Sequence, residues 1–145
     1  MRVIIDSNIA IAAVASHGLC EVLMELCLEQ HQIILCEGIM REIERKLRTK
    51  LSVPAPVIAE YLRVLRNNAE MLEPETVPEA VCRDHDDLMI LGLVSSGKAD
   101  VVVTGDKDLL VLGSYNAAQI VTPRAFWESN RRVENRRDGA DNHQP

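Results

Sequence analysis

The sequence predicts an α/β protein with a three-layer α/β/α fold, whose central, mainly parallel sheet has about four or five strands. Short β-branched runs alternate along the chain with stretches of helical periodicity, which is the pattern of a parallel sheet covered by helices. Of the 145 residues, 47% are apolar but only 3% are aromatic, so an aliphatic core is expected. The length fits one domain. We expect that domain at residues 1–130, followed by a flexible, charged C-terminal tail at residues 131–145.

The first half of the chain contains two predicted strands and four predicted helices. Residues 2–5 and 32–36 are short apolar runs typical of buried strands. Ser7 or Asn8 can cap the helix that follows the first strand. The helices are predicted at residues 9–15, 20–30, 38–50 and 57–68.

The second half begins with residues 70–79, which are rich in proline and acid and are interpreted as a connecting stretch. The segment from Asp84 to Gly97 has an acidic first turn and is then apolar nearly all round, which predicts a buried helix. Residues 100–106 predict a third buried strand that ends in acid. The remaining predicted elements are a helical turn at 106–113, a short strand at 119–123 and a closing helix at 123–130.

Charge and cysteine usage limit the classes of function. The net charge of −6 disfavours a protein that coats nucleic acid by charge alone, and a nuclease of this charge needs bound cations. No signal peptide or membrane-length apolar run is visible, so we expect a soluble, cytoplasmic protein without a membrane partner. The cysteines form no C-x-x-C pair, and reduced, buried thiols are expected at Cys20, Cys27, Cys36 and Cys82.

Carboxylates follow the predicted strands at the positions where ligands bind in open α/β sheets. Asp6 ends the first strand and Asp106 follows the third, so both lie in one crevice if those strands are neighbours. Asp87 lies near the start of the helix that leads into the third strand. Glu42 lies between Met40 and Ile43, on the inward edge of its helix. The sequence therefore predicts a crevice that gathers acids from separate parts of the chain.

Such a crevice favours a divalent cation. Like charges a few ångströms apart repel and raise one another's pKa, and a hard cation with oxygen ligands removes this conflict. Ligation by carboxylates alone favours Mg²⁺ or Mn²⁺ over zinc. The chemistry that such a site supports is metal-assisted hydrolysis of a phosphodiester bond.

Four segments together resemble the PIN-domain family. They are VIIDSNIAIAA, with an Asp at the end of a strand and an Asn two residues later, MREIERKL, RDHDDLMILGLVSSGKADVVVTGDKDLL and TPRAFWES. Each segment alone is a weak signal, but the ordered set is specific and covers about residues 1–130. The chain is most similar to the VapC-like branch, the toxin components of toxin–antitoxin systems.

The resemblance assigns roles to individual residues. It implies four catalytic, metal-binding acids, which are Asp6, Glu42, Asp87 and Asp106. It further implies that Asp108 is an additional metal ligand and that Asn8 and Thr104 are supporting polar groups. Thr104 is expected to form a hydrogen bond within the site.

Three positions depart from the family pattern. Ser7 replaces a commoner Thr, His85 replaces a frequent Pro, and Leu88 stands where a further Asp is frequent. The last change leaves three candidates for the third acid, Asp84, Asp86 and Asp87. Asp87 is preferred because an aliphatic residue follows it three positions later, as in the family.

The resemblance also implies an activity and partners. It implies a Mg²⁺- or Mn²⁺-dependent endoribonuclease that cleaves single-stranded RNA, for example tRNA, rRNA or mRNA, by in-line attack of activated water. It implies a homodimer that a cognate antitoxin protein inhibits.

Some basic residues can guide the RNA backbone or form an ordinary solvated face: Arg41, Arg45, Lys46 and Lys107.

Other interpretations stay open at this stage. Asp6 can be a cap residue, Asp106 or Asp108 can cap the helical turn that follows the third strand, and Glu42 can form a surface ion pair with Lys46. Two other classes compete with a nuclease: a PIN fold that lacks catalysis and serves as an interaction module, and a receiver-like domain phosphorylated at a strand-end Asp. The receiver is the weaker alternative, because the first strand carries only one acid.

Overall fold

A computed structural model describes the backbone of residues 1–78 and 84–141, with side chains as far as residue 138. The strands are β1 (Arg2–Ile5), β2 (Gln32–Leu35), β3 (Ala69–Met71), β4 (Val101–Val103), β5 (Ser114–Tyr115) and β6 (Ala118–Val121). The helices are α1 (Ser7–Ala15), α2 (Leu19–Gln30), α3 (Glu37–Thr49), α4 (Ala55–Asn68), α5 (His85–Gly97), α6 (Lys107–Leu110) and α7 (Pro123–Asp141). The predicted three-layer α/β/α fold is confirmed.

The sheet places β1 and β4 side by side. The strand order is β3-β2-β1-β4-β6-β5, and all neighbours are parallel except β5 and β6. Ile4 is level with Ile34 on one side and with Val102 on the other. The chain leaves β1 towards β2 and later returns to β4 on the opposite side of β1, so the strand order reverses there. In a parallel sheet this is the point where a ligand crevice opens, at the carboxyl ends of the two strands.

The core is aliphatic, as the composition predicted. Val3, Ile4 and Ile5 of β1 are fully buried, and α3, which contacts α1 and α4, buries one apolar stripe: Ile39, Met40, Ile43 and Leu47. Burying a side chain of this size contributes about 1.5–3 kcal/mol. The stripe fixes the rotation of α3 about its axis and therefore decides which side chains of that helix face the crevice.

Helix α5 is the buried helix predicted from its apolar composition. Asp84 caps its first turn by accepting a hydrogen bond from the backbone N–H of Asp86 at 2.8 Å. In the middle of the helix the Glu75 N–H donates to the carbonyl of Gly92 at 3.0 Å. A Cβ atom at Gly92 would overlap the Glu75 carbonyl oxygen, so this glycine allows the preceding segment to cross α5 at close range.

Two edge strands were not predicted from the sequence. Strand β3 begins at Ala69, one residue before the stretch interpreted as a connection, and β5 precedes the last parallel strand, so the sheet has six strands instead of four or five. Ala and Glu are depleted in strands, and β3 forms because its three residues pair with Ile33, Ile34 and Leu35 of β2. Glu79 and Cys82 lie outside the described residues.

The closing helix is longer than predicted. It was expected to end near residue 130, but α7 continues to Asp141, and residues 131–138 are exposed. The extension needs no apolar stripe, because Arg and Glu are good helix formers and no Gly or Pro interrupts the chain before Gly139. The predicted tail residues 142–145 lie outside the described part of the chain.

Of the three cysteines in the described part of the chain, Cys27 and Cys36 are buried as expected, whereas Cys20 is half-buried. Cys20, Cys27 and Cys36 are free thiols, and burial raises the pKa of Cys27 to about 12, which keeps that thiol neutral.

Among the described residues no single helix is long and apolar enough to cross a membrane. Only α1 and α2 together have that length and composition, and they are bent by 114° relative to each other.

Gly92→Ala is expected to destabilise the fold by about 1–3 kcal/mol, because the added methyl group meets backbone and cannot be relieved by a side-chain rotation. The measurement is the free energy of unfolding in urea. Gly18→Ala is the control, since its added Cβ would have only one neighbour within 4 Å, the Ser16 Oγ at 3.7 Å. A Gly92→Ala protein as stable as the wild type would contradict the packing of residues 74–75 on α5.

Candidate active site

Asp6 links β1 to β4 at the point where the strand order reverses. It follows β1 directly and is the N-cap of α1, and its Oδ1 accepts a hydrogen bond from the Ser7 N–H at 2.7 Å. Its own N–H donates to the Val103 carbonyl of β4 at 3.0 Å. The side chain is therefore held in a fixed orientation, and the residue is only 7% exposed.

Thr104 links the two acids that follow β1 and β4. Its hydroxyl donates to Asp6 Oδ2 at 2.6 Å and accepts from the Asp106 N–H at 3.0 Å. Thr104 is fully buried. One hydroxyl group thus serves as donor and acceptor, and it positions a side chain after β1 and a backbone N–H after β4.

Burial raises the pKa of the Asp6 carboxyl above its usual value. Hydrogen bonds from Thr104 and Ser7 act in the opposite direction, while the nearby charges of Glu42 and Asp106 raise the pKa further. Burial and like charge therefore outweigh the hydrogen bonds. An ionised Asp6 is costly here unless a positive charge joins it.

Three aspartates form a cluster beside Asp6. Asp87, Asp106 and Asp108 each offer a carboxylate oxygen, and these oxygens lie within 4.8 Å of one another. Asp87 belongs to the first turn of α5 and is 2% exposed. Asp106 caps α6 through its Oδ1, which accepts from the Asp108 N–H at 2.8 Å. Asp106 therefore both caps a helix and belongs to the cluster.

The donor set of this cluster fits a hard divalent cation. Oxygens on opposite sides of Mg²⁺ are about 4.2 Å apart, from the usual Mg–O distance, so the cluster can close around an ion with small side-chain movements. All three donors are carboxylates, which suits Mg²⁺ or Mn²⁺. The residues that could hold the ion are Asp87, Asp106 and Asp108, with Asp6 adjacent.

Glu42 lies at the rim and not within this cluster. Its Oε1 pairs with Lys46 Nζ at 2.7 Å, which is the i,i+4 ion pair considered in the sequence analysis. The side chain is nevertheless only 13% exposed, and its charge acts on both Asp6 and Asp86. Glu42 thus contributes negative potential to the crevice while Lys46 offsets part of it.

The three neighbouring aspartates at the start of α5 have different positions. Asp84 caps the helix and is exposed, whereas Asp87 points inward to the cluster. Asp86 faces α3, and its pKa is raised by burial first and then by the charges of Glu42 and Asp84. Of these three, the structure brings only Asp87 together with Asp106 and Asp108.

The remaining predicted site residues are exposed around the crevice. Asn8 lies over the turn after β4, with its Nδ2 3.7 Å from the position of a Cβ at Gly105. Lys107 of α6, and Arg41 and Arg45 of α3, are exposed.

A pocket lies between α3 and the first turn of α5, and it was not predicted from the sequence. We call it the α3 pocket. Its lining comprises Gly38, Arg41, Glu42, Arg45, Asp86 and Met89, and its volume is about 450 Å³. A Cβ at Gly38 would overlap Met89 Sδ, so the glycine lets this methionine lie against α3. No sequence signal could reveal the pocket, because it depends on the packing of two helices that are distant in the chain.

The fold and the site together define a class: an α/β protein with a carboxylate cluster for a hard cation where the strand order of its parallel sheet reverses. The model of the PIN-domain family matches residues 2–108, and the chain belongs to that family. The resemblance inferred from the sequence is thereby confirmed.

The fold is also similar to that of a solved structure, VapBC2 from Rickettsia felis bound to a DNA fragment from its promoter. The matched chain is 13% identical, the match covers 84% of this chain and 98% of that one, and the TM-score is 0.58. At this identity the likeness is one of fold. No curated protein matches the sequence.

Thr104→Val is expected to lower the free energy of unfolding by about 1–3 kcal/mol, because the buried Asp6 carboxylate loses a donor and the Asp106 N–H loses its acceptor. The measurement is urea unfolding at neutral pH without added metal. Thr104→Ser keeps the hydroxyl and is expected to retain most of the stability. Equal stability of the valine variant and the wild type would show that the hydroxyl does not hold the site together.

Proposed function

We propose that this chain is a divalent-metal-dependent endoribonuclease that hydrolyses RNA phosphodiester bonds. The observation that carries the proposal is the cluster of Asp87, Asp106 and Asp108 beside the buried Asp6, at the ends of β1 and β4. Membership of the PIN-domain family supports it, because PIN domains are generally nucleases.

The chain's own residues divide the work of the site. Asp87, Asp106 and Asp108 would hold Mg²⁺ or Mn²⁺, and the chemistry supplied by the bound ion is activation of water and neutralisation of phosphate charge. Thr104 and Ser7 keep Asp6 oriented beside the cluster. Without a cation the clustered acids repel RNA phosphate, so substrate binding at the crevice is coupled to the ion.

We propose further that the enzyme is the toxin of a toxin–antitoxin pair, with an antitoxin protein as partner. The support is the fold likeness to a chain of a VapBC complex and the resemblance of the sequence motifs to VapC-like toxins. A homodimer and a cytoplasmic location belong to the same proposal.

A receiver-like role for Asp6 has little support. Both carboxylate oxygens of Asp6 accept hydrogen bonds, and the residue is almost fully buried, so it is poorly placed to attack a phosphoryl donor. The family match is to a PIN domain. The alternative of a catalytically inactive PIN-fold module is separated from the nuclease by the cleavage experiment below.

Cleavage of labelled RNAs in Mn²⁺ is expected to fall on the order of 100-fold or more in Asp6→Asn, Asp87→Asn and Asp106→Asn, because each change removes negative charge that holds or faces the cation. The matched control is Asp100→Asn, whose side chain lies away from the site and accepts from the Arg2 N–H. Circular dichroism verifies that every variant is folded. Wild-type protein that cleaves no RNA in any divalent metal would favour the inactive module.

Millimolar Mg²⁺ or Mn²⁺ is expected to raise the Tm of the wild type, because a ligand that binds only the native state stabilises it by mass action, by about 2.7 kcal/mol at 100 times Kd. The shift is expected to shrink in Asp87→Asn and Asp106→Asn and to persist in Asp100→Asn. Scans at matched ionic strength in NaCl remove the general salt effect. Equal shifts in all four proteins would place metal binding elsewhere.

A further inference from the structure

We infer that Arg41 and Arg45 bind the RNA phosphate next to the cleaved one, and that the α3 pocket beside them takes the corresponding nucleotide. This inference rests on the proposed nuclease function, because it assigns the path by which RNA leaves the acidic cluster. Arg41 and Arg45 would supply the positive charge that offsets an acidic active site in an acidic protein.

The α3 pocket adjoins the candidate active site through Glu42 and through Asp86, which directly precedes Asp87 in the chain. Glu42 lines the pocket and also acts electrostatically on Asp6. Asp86 lines the pocket, while the adjacent Asp87 belongs to the aspartate cluster. A strand whose scissile phosphate lies at the cluster therefore reaches the pocket with its neighbouring nucleotide.

The basic residues of α3 differ in their partners. Lys46 pairs with Glu42 and Arg48 pairs with Glu44, so their charges are largely used within the helix. Arg41 and Arg45 are exposed, and in the described part of the chain neither of them forms an ion pair. At longer range Arg41 attracts the Glu37 carboxylate and Arg45 attracts that of Asp86, so part of each positive charge is offset and the rest is available to an anion.

The spacing of the two arginines suits one phosphate. Residues four apart on a helix have Cβ atoms about 5–6 Å from each other, so both guanidinium groups can reach the same phosphate. A guanidinium group is planar and binds phosphate oxygens through two parallel hydrogen bonds. Arg41 and Arg45 both line the α3 pocket, so the phosphate would lie at its mouth.

The other walls of the pocket fix the orientation of the nucleotide. Glu42 and Asp86 repel phosphate but accept hydrogen bonds from base amino groups. Met89 provides a polarisable, apolar surface for a base ring, and Gly38 leaves room for it. The volume of about 450 Å³ lies within the usual range of ligand pockets, roughly 300–1,000 Å³. A base can enter only when it is unstacked, which favours single-stranded RNA.

The test is binding of a short, unstructured, fluorescein-labelled oligoribonucleotide, followed by fluorescence anisotropy across a range of salt concentrations. All binding is measured on the Asp106→Asn background, in which cleavage is expected to be lost while the arginines are unaltered. Arg41→Ala/Arg45→Ala is expected to weaken binding about 10-fold or more at low salt and to lower the slope of log Kd against log salt by about 0.7, the value for one phosphate on a single strand. Met89→Ala is expected to weaken binding about 3- to 10-fold without a change of slope, because a base contact releases no counterion.

Arg48→Ala/Arg63→Ala is the matched control. It removes the same charge from two exposed arginines that already pair with Glu44 and Glu60, and it is expected to leave binding within about 2-fold of the parent. Equal losses in the two double variants would mean that net charge alone matters, and this would overturn the proposal. Binding by the Asp106→Asn parent at low salt that is absent, or that is unaffected by Arg41→Ala/Arg45→Ala, would also overturn it.

Cleavage kinetics separate this inference from the proposed function. In an active wild-type background Arg41→Ala/Arg45→Ala is expected to raise KM about 10-fold with little change in kcat, since the arginines touch RNA away from the reacting phosphate. Metal-dependent cleavage with an unchanged KM in that variant would overturn the arginine site and leave the nuclease intact. Arginine-dependent binding by a wild type that cleaves nothing would support the RNA site and overturn the nuclease.

Discussion

The hydrogen bonds of the Thr104 hydroxyl hold the candidate site together. The hydroxyl donates to Asp6 after β1 and accepts from the Asp106 N–H after β4, inside a region where water is excluded. Asp106 in turn caps α6 and accepts a hydrogen bond from the Asp108 N–H. The position of Asp108 therefore follows from the same contacts. The acids are therefore oriented by hydrogen bonds before any cation binds, and the remaining repulsion among them is the driving force for binding one.

The parts of this arrangement that depend on local sequence could be predicted. Strands β1 and β4 are continuous β-branched runs, and the acids that follow them are visible without a structure. The neighbouring position of the two strands was a condition in the sequence analysis, and the sheet order fulfils it. In contrast, β3 forms through its pairing with β2, and local propensity does not indicate such a contact. The predicted end of the closing helix was wrong for the opposite reason. Local helix propensity continues along α7 beyond the point where the apolar periodicity stops.

Helix rotation decides the parts that sequence could not resolve. Asp84, Asp86 and Asp87 lie within four consecutive residues, yet one caps the helix, one faces α3 and one joins the cluster. The two interpretations of Glu42 show the same limit of the sequence. This residue lies on the inward edge of α3 and also forms the ion pair with Lys46. The sequence alone presented these as competing interpretations. In the folded chain the same carboxylate forms the pair and adds to the potential at Asp6, so the two interpretations are compatible.

The distribution of charge explains how an acidic chain can act on a polyanion. With a net charge of −6, long-range attraction cannot gather RNA on this protein, and the acid cluster repels it locally. Attraction has to come from short-range contacts beside the cluster, and α3 separates its charges accordingly. Lys46 reduces the repulsion from Glu42, whereas Arg41 and Arg45 stay exposed at the mouth of a pocket. RNA phosphate is then stabilised at two places, beside a cation at the cluster and beside these arginines. A strand gains high affinity only when it occupies both places at once.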